Sequence, residues 1–405
     1  MSTPAPTPFR IEIPEDRLHD LRRRLASIRW APDFANDDWR YGTNGKYLRE
    51  LVAYWHDGYD WRAREKRINA YPQFKVEIDG MPIHFLHVKA KHPEKCAGGR
   101  PLPLLLTHGW PWTFWDFEKV IGPLTDPGAF GGDPKDAFDV VVPSLPGFGF
   151  STPLTTPGIN WWRTADLWAT LMRDVLGHER FCAHGGDWGA LVTLQLGHRY
   201  ADRVHGVHIT GIAPLEFFSG DRPWSIGGSL DTIAKGTGEK EALLAWERKF
   251  ASHVAVQHLD PQSLAFAMHD SPMGLCAWIL ERRRSWGDTH GDVESRFTKD
   301  ELLDTMSIYW LTDSFVTSVR YYAEAGRNPW KPDYTRESAN KPIVAAPTGI
   351  TLFKPDMAPG DMSWSETYFN RVQFRVHEKG GHFAPAEEPA VLVTDIRDMF
   401  RRNRG

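Results

Sequence analysis

The 405-residue chain has only three cysteines, Cys96, Cys182 and Cys276. Their number is odd and their spacing too wide, so they give neither a disulfide framework nor a zinc site. That excludes a disulfide-stapled secreted scaffold and points to a reducing compartment. Long apolar runs are missing too. No stretch approaches the roughly 20 apolar residues of a membrane helix, and the opening "MSTPAPTPFRIEIPEDR" lacks the apolar core of a signal peptide. A soluble, cytoplasmic protein with no membrane anchor is expected. Charge of one sign is equally scarce: 48 Lys and Arg against 52 Asp and Glu leave a net of -4. Nothing in that balance suits a nucleic acid, and the basic run "RLHDLRRRL" reads as a solvated helix face. Internal repeats and low-complexity tracts are absent.

What the chain has in excess is aromatic side chains. Aromatics make up 13% of the residues, with 18 tryptophans, which fits a protein that lines an apolar cavity as well as filling a core. The length allows one large core plus an inserted or appended unit. Leu18, Leu21, Leu25 and Ile28 recur at three- and four-residue steps, predicting a helix from near Pro14; a second is predicted over Lys46–His56. The period then changes to two in "FKVEIDGMPIHFLHV", where Asp79-Gly80 between apolar alternations signals a hairpin. From Pro103 the chain repeats strand, glycine turn, helix: "PLLLTHG", "FDVVVPSLPGFG", "ERFCAHGGD", "VHGVHITG". Short apolar strands alternating with helices argue for an α/β fold with a mainly parallel sheet covered on both faces. The rhythm stops from Pro214 to Asn340, a helix-like aromatic segment, and resumes with "KPIVAAPTGITLF" and "RVQFRVHEKGGHF" before a last helix over Pro385–Phe400. The expected organisation is a helical N-terminal extension (1–72), an α/β core in two parts (73–213 and 341–405), and an inserted helical cap (214–340).

The motif "AHGGDWGAL" sets an acid where the Gly-x-Ser-x-Gly turn carries an alcohol. Gly185-Gly186-Asp187-Trp188-Gly189 follows an apolar strand and opens a helix, which places the Asp187 carboxylate at the carboxyl end of the sheet. Alone, an aspartate there reads as an N-cap. Its company argues otherwise. "THGWPW" follows an earlier strand, in the loop that supplies one oxyanion-hole amide; the donors would be the backbone N–H groups of Trp110 and Trp188. "EKGGHFAPAEEP" places His382 last in the order nucleophile, acid, histidine. Between them "GITLFKPDMAPGD" offers Asp356, directly after a strand, ahead of Asp361 as the acid that orients the imidazole. A serine that opened an epoxide or displaced a halide would leave a stable ether on the enzyme. A carboxylate leaves an ester, which His382-activated water can release. Epoxide opening also needs a proton donor from the cap, and "SVRYYAEA" offers Tyr321 and Tyr322, which periodicity alone does not separate. Trp112 and Trp115 join Trp110 and Trp188 as expected pocket aromatics.

These motifs, with "WRAREKRINAYPQFKVEIDGMPIHFLHV", "DSPMGLCAWILE" and "YWLTDSFVTSVRYYAE", resemble the microsomal-type epoxide hydrolases, an α/β-hydrolase branch with an N-terminal epoxide hydrolase region. The resemblance runs over nearly the whole chain. It implies Asp187 as nucleophile, His382 as base, Asp356 as acid within "FKPD", and Tyr322 as the cap donor. The chain departs from the family at the second cap tyrosine: counting back from Pro261 puts His253 in its place. An imidazole can donate a hydrogen bond, but its protonation varies near neutral pH. Three readings follow, of which the first is preferred: His253 is a substitute donor, Tyr322 acts alone, or ring opening is weakened. Mammalian microsomal members carry an N-terminal membrane segment; this chain shows none and resembles the soluble microbial members. The expected partners are an apolar or aryl epoxide and water, with no metal or organic cofactor, and a homo-oligomer remains open beside a monomer. The competing functions are a dehalogenase-like hydrolase using the same ester chemistry, and an inactive protein holding an apolar ligand.

Overall fold

Two kinds of strand build one sheet. The computed structural model describes residues 5–96, 99–332 and 342–404. Its strands are β1 (Thr7–Phe9), β2 (Gln73–Ile78), β3 (Met81–Val88), β4 (Leu102–Thr107), β5 (Phe138–Pro143), β6 (Phe181–Gly186), β7 (Val204–Thr210), β8 (Val344–Phe353) and β9 (Phe369–His377). They lie in the order β1-β2-β3-β5-β4-β6-β7-β8-β9. From β5 to β9 every pair is parallel, while β1, β2 and β3 are antiparallel to their neighbours. The parallel strands read as unbroken apolar runs because helices cover both faces: Leu104 to Leu106 and Val140 to Val142 are fully enclosed.

The hairpin forms where Asp79-Gly80 predicts it. Both residues have positive φ, 51° and 76°, the backbone of the two-residue turn that matches strand twist. The N-terminal extension holds the expected helices, Glu15–Ala26 and Gly45–Asp57, and a third at Trp61–Ile68 that the periodicity did not predict. It is not purely helical. Residues Thr7–Phe9 add an edge strand to β2, three residues being too few for an alternation to show, and Pro8 is tolerated because an edge strand can spare its N–H. The last helix also differs from expectation. It is two helices, Ala384–Glu387 and Pro389–Arg401, because Pro389 pushes Glu388 out of the helical region to φ -133°.

Between β7 and β8 the chain forms helices only, among them Thr237–Phe250, Ser252–Leu259, Pro261–Asp270, Pro272–Trp286, Lys299–Leu311 and Phe315–Arg327, with no strand among the described residues. This is the segment expected as a cap; its expected end at residue 340 lies outside the described residues. The N-terminal extension grips it. Asp304 of the cap, 2% exposed, accepts from the Tyr59 hydroxyl at 2.9 Å, Arg64 at 2.8 and 2.6 Å and the Trp115 indole at 3.3 Å, so one carboxylate ties extension, core and cap together. No helix among the described residues is long and apolar enough to cross a membrane.

Candidate active site

Sheet order decides where the site falls. Because β4 lies between β5 and β6, the chain leaves β4 to one side and returns on the other, and the loops after β4 and β6 meet at the carboxyl end of the sheet. Asp187 is the single residue between β6 and the helix Trp188–Arg199, with φ 53° and ψ -126°. A non-glycine residue there stores backbone strain on the order of 1–3 kcal/mol, which the packing around it must hold in place. That packing needs the motif's outer glycines: a Cβ on Gly185 would sit 2.1 Å from the Gly189 carbonyl oxygen, and one on Gly189 would sit 2.0 Å from that of Thr107. The N-cap reading fails, since the Asp187 side chain caps no amide of its helix. Its Oδ1 instead accepts from the Trp110 backbone N–H at 2.8 Å, across from β4. Trp188, the first helical residue, presents one of the amides that a helix start leaves without an intrahelical partner.

The other carboxylate oxygen faces the histidine. Asp187 Oδ2 lies 3.4 Å from His382 Nε2, and His382 Nδ1 lies 3.2 and 3.1 Å from the two oxygens of Asp356. Asp356 ends the short turn Lys354–Asp356 directly after β8, and His382 follows β9. Asp361, the other acid considered, is elsewhere: it caps the turn Met362–Trp364 and pairs with Lys235. Burial works against a charged His382 ring, but Asp356 and Asp187 outweigh it and raise the pKa to about 10. The resting ring is an imidazolium between two carboxylates.

Above these groups lies a cavity of about 240 Å³ lined by Asp187, His382, Tyr322 and His253, with walls that include Phe218, Trp246, Phe250 and Met362. The Tyr322 ring lies edge-on to Trp188 and to Trp110, at centroid distances of 4.6 and 5.9 Å. Burial, then the Asp187 charge, holds its hydroxyl well above the usual phenol range, so it keeps its proton. Tyr321 turns away and shares a hydrogen bond with Thr164 at 2.8 Å, a packing role. His253 stacks nearly parallel on Trp110 at 5.2 Å and meets Tyr322 edge-on at 5.6 Å. Burial, and then the charges of Arg282, His382 and His258, hold its pKa well below the usual imidazole value. Its protonation therefore does not vary near neutral pH, contrary to the expectation for an ordinary imidazole: the ring is neutral and retains one N–H.

Of the four expected pocket aromatics only Trp188 lines the cavity; Trp110, Trp112 and Trp115 do not. Trp112 is fully buried, its ring 5.7 Å from that of His382 and 5.6 Å from Phe383. Trp115 is turned toward the extension, where its indole N–H bonds Asp304. Both tryptophans follow the Trp110 loop in sequence, but the chain dives into the core there and only the backbone of Trp110 reaches Asp187. Conversely, two buried carboxylates beside the site, Asp288 and Glu387, escaped the sequence reading. Glu387 lies within "EKGGHFAPAEEP" but reads as an ordinary helix-start acid, and its partner Asp288 is 99 residues away.

Comparison with known proteins agrees with this fold. Residues 6–117 match the family model described as the epoxide hydrolase N terminus, and residues 103–389 match the α/β hydrolase fold. The chain is 39% identical to a putative epoxide hydrolase of Stigmatella aurantiaca, covering 98% of this chain and 85% of that one. It is 34% identical to epoxide hydrolase 1 of Oryctolagus cuniculus, covering 96% and 87%. Among solved structures, the Aspergillus niger epoxide hydrolase superimposes with a TM-score of 0.78 at 28% identity over 99% of this chain and 97% of that one. The juvenile hormone epoxide hydrolase of Bombyx mori does so with 0.79 at 28% identity over 100% and 95%. The chain belongs to the epoxide hydrolases of the α/β-hydrolase fold.

Proposed function

We propose that this enzyme opens apolar or aryl epoxides to vicinal diols through an alkyl ester on Asp187. The observation that carries the reading is the division of labour within one carboxylate: Oδ1 rests on the Trp110 amide while Oδ2 faces His382 and the cavity. In the first step Oδ2 attacks an epoxide carbon, the C–O bond breaks, and the released oxygen takes a proton from Tyr322, helped by a hydrogen bond from His253. Oδ1 becomes the ester carbonyl. In the second step the His382 imidazolium, no longer held charged once Asp187 is esterified, returns a proton through water to the Tyr322 oxygen; the neutral ring then removes a proton from a water, which attacks the carboxyl carbon of Asp187. The oxyanion on Oδ1 is held by the Trp110 and Trp188 amides, and collapse frees the diol and regenerates the carboxylate. Asp356 holds the imidazole with Nε2 toward the water and stabilises its charged form.

Two donors facing one cavity favour epoxides over haloalkanes, because a halide leaves without a proton. The apolar walls support a substrate whose bulk is hydrocarbon or aryl, and three buried free thiols suit a reducing, cytoplasmic setting. The test is to incubate the His382→Gln variant with styrene oxide and weigh the protein. A mass increase equal to one substrate, mapped to Asp187, is the expected result; an unmodified protein that still turns over substrate contradicts it.

A further inference from the structure

The loop that carries His382 is fastened to the cap. The backbone N–H of His382 donates to the Trp286 carbonyl at 3.0 Å, where the cap helix Pro272–Trp286 ends. Two residues earlier, the Gly380 N–H donates to Asp288 Oδ2 at 3.0 Å. One residue later, the Phe383 N–H donates to Glu387 Oε1 at 2.9 Å, and the other oxygen of the same carboxylate accepts from the Asp288 N–H at 2.7 Å. Asp288 and Glu387 are only 3% and 8% exposed, so water does not compete for these bonds. Arg296 completes the clasp by pairing with both Asp288 and Glu388. The contact is close enough to require glycine: a Cβ on Gly381 would lie 2.5 Å from the Asp288 nitrogen and 2.7 Å from the Trp286 oxygen. The same cap helix reaches the oxyanion loop, where Arg283 donates to the Pro111 carbonyl at 3.1 Å.

We infer that Glu387 and Asp288 are positioning residues that set the catalytic imidazole of His382 from the cap rather than from the core. Asp356 fixes the ring only through Nδ1 and leaves its loop free to rise or tilt; the clasp fixes the backbone on both sides of His382. Neither carboxylate lines the cavity or touches the nucleophile. The clasp therefore matters for the step in which His382 must aim at water, and much less for the step in which Asp187 attacks carbon. This rests on the proposed role of His382 as base.

The experiment separates the two steps. In Glu387→Gln, one of the two amides loses its acceptor and faces an NH2 group instead. Rapid-mixing single turnovers with styrene oxide give the alkylation constant, and quenched samples weighed by mass spectrometry give the ester hydrolysis constant. Both are scaled to the folded fraction from circular dichroism. The expected result is hydrolysis slowed at least tenfold, alkylation within threefold of wild type, and a larger share of enzyme held as ester at steady state. Asp288→Asn, which keeps an acceptor for Gly380 but loses the Arg296 pairing, should move the same ratio in the same direction by a smaller factor. Ester that both variants release at the wild-type rate overturns the positioning role alone, as does an equal fall in both constants after scaling. A wild-type enzyme that forms no ester overturns the proposed mechanism, and the positioning role with it.

Discussion

Replacing Asp187 by asparagine should pull the titration midpoint of His382 down from about 10 into the neutral range. The resting imidazolium is supported by carboxylates on both sides, at 3.4 Å from Asp187 and 3.1 Å from Asp356. An imidazolium cannot act as a base, so the second step demands that one support be removed. Alkylation does this, because the ester on Asp187 is neutral, and asparagine imitates the ester. Two unit charges at the Asp187 distance attract by about 5 kcal/mol at an effective dielectric constant of about 20, which corresponds to about 3.5 pH units in the midpoint. The variant ring should therefore titrate several units lower, within reach of neutral pH. The sign matters for the rate: ester hydrolysis should rise with pH through that lower midpoint, since the neutral ring is the active form. The assay is an NMR titration of the 15N-labelled imidazole in wild type and Asp187→Asn. A midpoint that stays within one unit of wild type would refute the idea that the first step arms the base for the second.

Other consequences follow from single contacts. A Cβ on Gly109 would lie 2.3 Å from Asp187 Oδ1, so Gly109→Ala should displace the nucleophile and lower kcat by about a hundredfold, with urea unfolding showing a much smaller loss of stability. His253→Phe keeps the stacking on Trp110 but removes the N–H, and should slow alkylation by about tenfold or more; His253→Tyr should restore it, and an unchanged alkylation constant in the Phe variant would remove His253 from the mechanism. Neither wild type nor the Tyr variant should show an acid-side rate loss from residue 253, because the native ring is already neutral. Asp304→Ala would remove the acceptor shared by Tyr59, Arg64 and Trp115 and leave Arg64 only the longer pairing with Asp300 at 3.6 Å, and should cost about 3 kcal/mol in equilibrium unfolding; a loss under about 1 kcal/mol would show that the extension does not depend on that carboxylate to hold the cap.

Sheet and elbow are legible in the sequence for the same reason. Parallel strands such as Leu102–Thr107 and Phe181–Gly186 must be largely apolar, and each leads into a loop whose glycines are demanded by close contact, Gly109 of "THGWPW" with the Asp187 side chain and Gly185 and Gly189 of "GGDWG" with backbone. Asp187 and His382 stand out because their loops are short and directly follow strands, so position in sequence and position in space coincide. Asp356 stands out similarly, and distance to His382 separates it from Asp361. Where side-chain direction decides, the sequence is silent. Trp112 and Trp115 carry the right chemistry for a pocket, but the turn after Trp110 sends both inward. The clasp of Asp288 and Glu387 is invisible for another reason: it joins loops from the cap and the core, and neither contributes a local pattern. The edge strand Thr7–Phe9 and the short helix Trp61–Ile68 are too brief for periodicity to register.

If Asp187 attacks the epoxide, one of its own oxygens, not one from water, enters the diol. A single turnover with enzyme in excess over styrene oxide, run in 18O-water, tests it most directly. The diol should be free of 18O after the first turnover, with one 18O atom in the carboxylate of Asp187, found by mass spectrometry of its peptide. An 18O-labelled diol from the first turnover, with an unlabelled Asp187, would mean that water attacks the epoxide directly and that no ester forms on Asp187.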